Sequence, residues 1–381
     1  MLLRVSVLFA FLLSLSGCSD DAAAPQNPPA APIDPEQAGP YVVGTTRFEL
    51  SAHDARILPV QIWYPATPAA ASEATVGHPL SEIEPPGTRR QTLAELVAAA
   101  PEGCVSRVMH AALDATPAES GGPWPLILFS HCHVCTRFSE LSVAERLASW
   151  GFVVAAPDHE GNTLYDELAS SPSRLDPEFL QTRGLDVRDV IDALTGDSVD
   201  LPVPLQGRLD EARIGMFGHS FGSITTGLVL QNDARVKAGA LLAAPPENPI
   251  LTGVTLSALT KPGFFMLAEE DNAFGAAGND LIRQNYENYP AAAWLLSVKD
   301  AGHWSFSDLA GLIEGFAPGC GTGPRQSDPS QTFSYLDNAT ARGLTQAYVT
   351  AFFGAQFMND SGAMAYLKTA RPEGTVTLTQ R

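Results

Sequence analysis

Positively charged residues are scarce in this chain of 381 residues. There are 23 Lys and Arg against 42 Asp and Glu, so the formal net charge is −19 and the sequence pI is about 4.7. Such an excess of negative charge argues against nucleic acid or an anionic membrane as a partner bound through bulk charge. Hydrophobic residues make up 45% of the chain and charged residues 17%, which predicts a globular protein with a large core.

Long hydrophobic runs are also rare, and the clearest one stands near the start. Residues 5–15 are apolar but too few to span a bilayer, so they predict a targeting segment rather than a transmembrane helix. The run ends in the sequence LSGC at 15–18, which resembles the lipobox of bacterial lipoproteins. This resemblance implies a signal peptide at 1–17 and a lipid anchor on Cys18, and Ser19 implies retention at the outer membrane of the bacterial cell envelope. An ordinary secretory signal is the alternative.

Cysteine is sparse, with five residues in the whole chain. If Cys18 carries a lipid, an even number remains, and in an exported protein this predicts two disulfides. Three pairings are open for the remaining residues, which are Cys104, Cys132, Cys135 and Cys320.

The first part of the mature chain has no apolar periodicity. Residues 18–40 are dominated by Ala, Pro, Asp and Gln and predict a disordered tether, with the folded domain at 41–381. Alternating apolar residues at 45–50 and 58–64 predict an antiparallel pair of strands. The irregular stretch 66–122 predicts an insertion, helical near its middle at 92–100, that could border a site.

From residue 125 onwards, strand-like and helix-like segments alternate regularly. This alternation predicts an α/β protein with a mostly parallel sheet of about eight strands and helices on both faces. The further predicted strands are 125–129, 152–156, 213–217, 237–243, 263–268 and 292–298. The further predicted helices are 141–150, 185–194, 278–288, 305–314 and 341–357.

The sequence Gly218-His219-Ser220-Phe221-Gly222 lies between a strand-like and a helix-like run. A serine flanked in this way is typical of a nucleophile elbow, a turn so tight that side chains two residues before and after it would clash. Glycine removes those side chains, and the strained turn exposes the serine hydroxyl. The pattern therefore predicts Ser220 as a nucleophile.

A serine hydroxyl needs a base within hydrogen-bond reach, and the base needs a carboxylate to orient it. In folds with this elbow the acid and the histidine follow the serine in the chain. Of eight histidines only His303 follows Ser220, directly past a predicted strand. Asp271 is the preferred acid because it lies a few residues past the 263–268 strand. Glu270 is the second choice, and the weaker candidates are Asp300 and Asp308.

The oxyanion formed on attack needs backbone N–H donors that are already in place. We expect one from Phe221 and the other from His133, in the loop after the 125–129 strand. This loop, 131–135, holds two histidines and two cysteines, so it also suggests a metal cluster. The spacing is too tight for all four to face one ion, and a single C-x-x-C is half a zinc site, so we expect no metal and no cofactor.

Several segments together resemble the platelet-activating-factor acetylhydrolase branch of the α/β-hydrolases, which includes dienelactone-hydrolase-like bacterial proteins. The similar stretches are LFSH at 128–131, LASWGFVVAA at 147–156, GHSFG at 218–222 and HWSFSD at 303–308. The resemblance implies an α/β-hydrolase fold with a Ser-His-Asp triad.

Two departures from that branch affect the site. Its triad aspartate usually follows the strand after the elbow helix, but here that strand ends LLAAP at 241–245 with no acid, which favours Asp271. Where that branch usually has a glycine in the oxyanion loop, this chain has Cys132, which suggests that a disulfide holds the loop. True dienelactone hydrolases use a cysteine nucleophile, whereas this elbow holds a serine.

These patterns together predict a lipid-anchored serine hydrolase that cleaves small-molecule carboxylic esters through an acyl-enzyme. Its contact with a membrane would run through Cys18, and the oligomeric state is left open. A noncatalytic binding lipoprotein on a hydrolase fold is the first alternative, and a metallohydrolase built on 131–135 is the second. Amide, lactone and polyester substrates stay open within the main prediction.

Overall fold

The computed structural model describes residues 32–196, 201 and 203–381. The predicted signal peptide at 1–17 and the predicted lipidation site Cys18 lie outside the described residues. No helix within the described ranges is both long enough and apolar enough to cross a membrane.

Ten strands form one central sheet, and two small ribbons lie outside it. In chain order the strands are β1 Val42–Ser51, β2 Ile57–Ala66, β3 His78–Pro79, β4 Val108–Met109, β5 Ala112–Leu113, β6 Trp124–Ser130, β7 Val153–Pro157, β8 Leu209–His219, β9 Val236–Leu242, β10 Gly263–Ala268, β11 Ala293–Val298, β12 Thr322–Pro324, β13 Thr332–Ser334 and β14 Val376–Gln380.

The sheet is parallel at its centre and mixed at its edges. Its order is β14-β11-β10-β9-β8-β6-β7-β2-β1-β5, and the six strands from β11 to β7 are parallel. Strand β2 pairs antiparallel with β7 and β1, and β14 pairs antiparallel with β11. The eight predicted strands are present. The sheet has two edge strands besides these, β5, which has two residues, and β14, a polar strand near the C terminus.

Helices cover both faces of the sheet. The α-helices are α1 Ala71–Val76, α2 Thr88–Ala99, α3 Leu141–Ser149, α4 Leu164–Leu168, α5 Pro177–Thr195, α6 Phe221–Asn232, α7 Gly275–Glu287, α8 Asn338–Phe357 and α9 Ser361–Tyr366. Apolar residues of α3 and α8 pack in the core on one face, and those of α5, α6 and α7 pack on the other. Along β6, Ile127 and Phe129 join the first core while Leu126 and Leu128 join the second, as expected of a strand buried on both faces.

The predicted helix at 305–314 is wrong. The segment is a series of turns, with a short 3-10 helix at Glu314–Phe316. Two serine side chains of the segment form hydrogen bonds with backbone groups. Ser305 Oγ accepts from the Gly302 amide at 2.9 Å, and Ser307 Oγ donates to the Ser139 carbonyl at 2.8 Å. Such bonds compete with helix formation.

Residues 32–40 belong to the folded body rather than to a tether. Ile33 is buried, and the Arg146 guanidinium donates to the Pro35 carbonyl at 2.8 Å. The Trp150 indole donates to the Gln37 carbonyl at 3.0 Å. Ordered contacts therefore begin before Tyr41. The prediction missed them because a few single contacts, rather than a periodic apolar pattern, hold this segment to the domain.

Both pairs of cysteines in the described chain are joined. Cys104 is bonded to Cys320, which links the insertion to the loop that follows β11, across a sequence separation of 216. Cys132 is bonded to Cys135 within the loop after β6. Of the three pairings that the sequence left open, the structure has the one that joins Cys104 to Cys320 and Cys132 to Cys135.

Candidate active site

Ser220 stands at the sharp turn between β8 and α6. Its backbone has φ 56° and ψ −117°, a conformation that is strained for a residue with a Cβ. The Ser220 amide donates to the Leu242 carbonyl at 2.8 Å, which ties the turn to the end of β9. A Cβ at Gly218 would lie 2.1 Å from the Gly222 carbonyl oxygen, and one at Gly222 would lie 1.8 Å from the Ser130 carbonyl oxygen. Both glycines are therefore required by backbone contacts.

His303 and Asp271 form a buried hydrogen-bonded pair. Nδ1 of His303, in the turns after β11, lies 2.7 Å from Oδ2 of Asp271, just past β10. Oδ1 of Asp271 accepts from the amides of Ala273 and Phe274, each at 3.0 Å. Burial by itself would raise the pKa of Asp271, but the charge of His303 and these hydrogen bonds outweigh it and lower the pKa. Asp271 is thus an ionised acceptor that holds the proton on Nδ1 of His303 and leaves Nε2 to accept another.

The other candidate acids have different partners. The carboxylate of Glu270 accepts from the Arg325 guanidinium at 2.8 Å and from the Gln326 amide at 2.6 Å. The same guanidinium binds Asp300. Asp308 is fully buried and accepts from the Ser142 amide and the Ser106 hydroxyl. Among these four acids, Asp271 is the one on the imidazole.

The elbow and the histidine loop are joined through His219, the neighbour of Ser220. Nε2 of His219 donates to the carbonyl of His303 at 3.0 Å, and the two imidazole centroids are 5.0 Å apart. Nδ1 of His219 lies 2.9 Å from the Glu140 carboxylate, and both groups are fully buried. The Phe274 ring also contacts His303, with the two ring centroids 5.4 Å apart. The structure thus places His303 and the chain neighbour of Ser220 in direct contact.

The two predicted oxyanion donors lie on adjacent segments. Phe221 is the first residue of α6, so its N–H has no intrahelical partner. The His133 ring meets the Phe221 ring edge-on, with centroids 6.4 Å apart. The loop of His133 is closed by the disulfide between Cys132 and Cys135, so these thiols are not free to bind a metal. Within the described ranges, no group of His, Cys, Asp and Glu side chains has the arrangement of a metal site.

Sequence reasoning missed one residue of this region, Arg183 on α5. Its side chain is fully buried and lies against the loop that leads to His133, donating to the Ser130 hydroxyl at 3.0 Å and to the His131 carbonyl. Burial lowers the pKa of Arg183 to about 9 against the opposing charge of Asp186. The sequence does hold a sign that Arg183 is buried, because Arg183 falls in the apolar stripe of α5 between Leu180 and Val187.

Two family models match the chain. The model described as platelet-activating factor acetylhydrolase, isoform II, matches residues 32–169, and the model of the dienelactone hydrolase family matches residues 110–353. The chain is 25% identical over 225 residues to the platelet-activating factor acetylhydrolase of Cavia porcellus, covering 51% of this chain and 50% of that protein. The chain thus spans about half the length of this curated relative.

A solved structure confirms the predicted fold. The ferulic acid esterase from Streptomyces cinnamoneus superposes with a TM-score of 0.63 at 23% sequence identity. The match covers 88% of this chain and 96% of that one. At this identity the likeness shows the α/β-hydrolase fold alone.

Proposed function

Because this chain belongs to the dienelactone hydrolase family, we propose that it is a serine hydrolase that cleaves carboxylic esters through an acyl-enzyme. The observation that carries the proposal is the buried pair of His303 and Asp271, with Nδ1 to Oδ2 at 2.7 Å, in contact with the strained elbow of Ser220. A serine in this conformation, whose chain neighbour His219 contacts a histidine held by a carboxylate, has the parts that nucleophilic acyl transfer needs.

Acylation would begin with attack of Ser220 Oγ on the carbonyl carbon of the ester. As that bond forms, the hydroxyl proton passes to Nε2 of His303 and the carbonyl electron pair moves onto oxygen. The amides of Phe221 and His133 hold this oxyanion. When the tetrahedral intermediate collapses, the bond to the leaving oxygen breaks and His303 gives its proton to the departing alkoxide.

Deacylation would repeat the sequence with water. His303 removes a proton from water as the hydroxide attacks the acyl carbon, and Ser220 leaves with the proton returned by His303. The products are the carboxylic acid and free enzyme. Asp271 stays ionised throughout and stabilises the imidazolium in each step, in keeping with its lowered pKa.

Replacement of the nucleophile tests this function. With a short p-nitrophenyl ester, Ser220→Ala should lower kcat by about 10⁶-fold, because the triad acts as a unit. Ser330→Ala, which removes an exposed serine on the β12–β13 ribbon, is the control and should keep the wild-type rate. Hydrolysis that survives Ser220→Ala would show that the assignment is wrong.

A fluorophosphonate probe separates this proposal from a noncatalytic binding protein. Such a probe reacts with an activated serine, so it should label the wild-type chain and not the Ser220→Ala variant. Absence of labelling and of turnover in the wild type would favour the noncatalytic alternative.

We also propose that Cys18 carries a lipid that holds the enzyme at the bacterial cell envelope. The support is the LSGC sequence at 15–18, which lies outside the described residues. Wild-type protein should then partition with the membrane fraction, and Cys18→Ser should release it. Retention of the Cys18→Ser variant in membranes would contradict the anchor.

A further inference from the structure

Arg183 reaches both segments that carry the proposed oxyanion donors. Its Nη2 donates to the His131 carbonyl and, at 3.0 Å, to the Ser130 hydroxyl, in the segment that leads to His133. The centre of its guanidinium lies 4.3 Å from the centroid of the Phe221 ring. One buried cation therefore contacts the loop of one donor and the side chain of the other.

Asn162 extends this contact to His133 itself. Nη1 of Arg183 donates to Oδ1 of Asn162 at 3.1 Å, and Nδ2 of Asn162 lies 2.7 Å from Nδ1 of His133. The Val134 amide also donates to Oδ1 of Asn162, at 3.4 Å. The orientation of the Asn162 amide is thereby determined, since a guanidinium only donates and must face the oxygen.

The donor and acceptor roles can be assigned in the same way for a row of hydrogen-bonded groups behind the loop of His133. The Ser130 hydroxyl accepts from Arg183, so its proton points to Nε2 of His159 at 2.9 Å. Nδ1 of His159 donates to the Asp186 carboxylate at 2.8 Å. His159 is then neutral, and burial with the charges of Arg183 and Arg56 holds its pKa well below the ordinary value.

This chain of Ser130, His159 and Asp186 has the connectivity of a triad without its accessibility. All three side chains are fully buried, and Arg183 donates to the serine oxygen that would have to attack. The array is therefore a support for the loop. His131 completes it, since its Nδ1 donates to the Cys132 carbonyl at 2.7 Å and its Nε2 accepts from the His159 amide at 3.0 Å.

We propose that Arg183 is the positioning residue of the oxyanion hole, holding the loop of His133 and the start of α6 in register before substrate binds. The inference rests on the proposed function. Oxyanion donors stabilise a transition state in proportion to how well they are placed in advance. A guanidinium fork can reach the His131 carbonyl, Ser130 and Asn162 together, and the single ammonium of lysine cannot reproduce that geometry.

Arg183→Lys tests the inference while keeping the positive charge. We expect kcat for a short ester, normalised to titrated active sites, to fall about 10- to 100-fold, because a displaced oxyanion donor costs up to about 10³ in kcat. KM should change less than about twofold, since the ground-state ester does not depend on the oxyanion hole. The inhibition constant of a trifluoromethyl ketone, which forms a tetrahedral oxyanion adduct, should rise in parallel with the fall in kcat/KM.

Two further variants keep the test decisive. Ser130→Ala removes the hydroxyl between Arg183 and His159 and should lower kcat about fivefold with the same rise in the inhibition constant. This variant decides the matter if Arg183→Lys does not fold. Arg188→Met removes a half-exposed arginine on the same helix and should leave kcat, KM and inhibition unchanged.

The outcomes separate this inference from the proposed function. If wild type turns over ester in a Ser220-dependent way but Arg183→Lys, or Ser130→Ala in its place, keeps both kcat and the inhibition constant, Arg183 has no positioning role. If kcat falls while the inhibition constant does not move, the inference is equally overturned. Absence of Ser220-dependent turnover in the wild type would instead reject the proposed function.

Discussion

At the level of single residues, two adjacent carboxylates have separate tasks. Asp271 binds Nδ1 of His303, while Glu270, one residue earlier, binds Arg325 and the Gln326 amide. The two side chains leave the backbone in different directions after β10, so a shift of one position changes the partner completely. Glu270 thus connects the loop after β10 to the chain around the β12–β13 ribbon.

Substitution of the two carboxylates should give very different losses. Asp271→Asn should lower kcat about 10⁴-fold, because an amide no longer stabilises the imidazolium or selects its tautomer. Glu270→Gln removes one partner of a partly exposed ion pair and should change kcat less than about threefold. Steady-state kinetics on titrated enzyme compare them, and a larger loss from Glu270→Gln would overturn the assignment of the acid.

Glu145 on α3 should make stability depend on pH. Its Oε1 accepts from the amides of His110 and Ala111, and burial raises its pKa from 4.5 to about 8. Between these values the unfolded chain releases the proton that the folded chain keeps, so the free energy of unfolding falls as pH rises from about 4.5 to about 8, by roughly 4 kcal/mol.

Urea unfolding at pH 5 and pH 8 measures this dependence. Glu145→Gln, which cannot titrate, should show a smaller difference between the two pH values than wild type. Glu95→Gln, on the exposed side of α2, should keep the wild-type difference. An unchanged difference in Glu145→Gln would refute the role of Glu145.

At the level of elements, the proposed active site depends on how closely α6 approaches the end of β6. The Ser130 carbonyl oxygen lies 1.8 Å from the place that a Cβ of Gly222 would take, and the loop beyond Ser130 carries His133. The two elements can meet only through glycine, which puts both proposed oxyanion donors on neighbouring backbones. The elbow glycine therefore serves the oxyanion loop as well as the turn.

Gly222→Ala should disrupt this approach. The added methyl would lie 1.8 Å from backbone, so the loop must move, and we expect kcat to fall at least about 100-fold with a lower Tm. Gly343→Ala is the matched control, since α8 has open space there. It should raise stability by about 0.5–1 kcal/mol and leave kcat unchanged. Equal effects of the two substitutions on kcat would contradict this account.

At the level of the whole molecule, two disulfides have different tasks. The bond from Cys104 to Cys320 closes 216 residues and fastens the insertion to the loop beyond His303. The bond from Cys132 to Cys135 has a sequence separation of three and constrains only the loop that holds His133. Because a bond that closes a longer loop lowers the entropy of the unfolded chain more, the first bond should contribute more to overall stability.

Double serine variants of each pair should separate these tasks. Loss of the Cys104–Cys320 bond should lower the free energy of unfolding by up to about 5 kcal/mol, and loss of the Cys132–Cys135 bond by about 2 kcal/mol. We expect the second variant to lose more kcat per folded active site. Chemical denaturation and active-site titration measure both, and the reverse order of stabilities would refute the prediction.

The sequence by itself determined the features that depend on a few neighbouring residues. The elbow at 218–222, its single later histidine, and eight strands of the sheet could be predicted because local sterics and periodic burial constrain a few neighbouring residues. The same reasoning failed at 305–314, where serine side chains bond the backbone of the same loop and of distant residues, and at β14, whose place depends on pairing with β11.

Only the tertiary structure decided which distant groups meet. The sequence preferred Asp271 over Glu270 by analogy, whereas the geometry puts one of them on His303 and the other on Arg325. The pairing of Cys104 with Cys320 and the contact of Arg183 with the His131 carbonyl join segments far apart in the chain. Such contacts depend on how the sheet and its helices pack, and no local pattern encodes that packing.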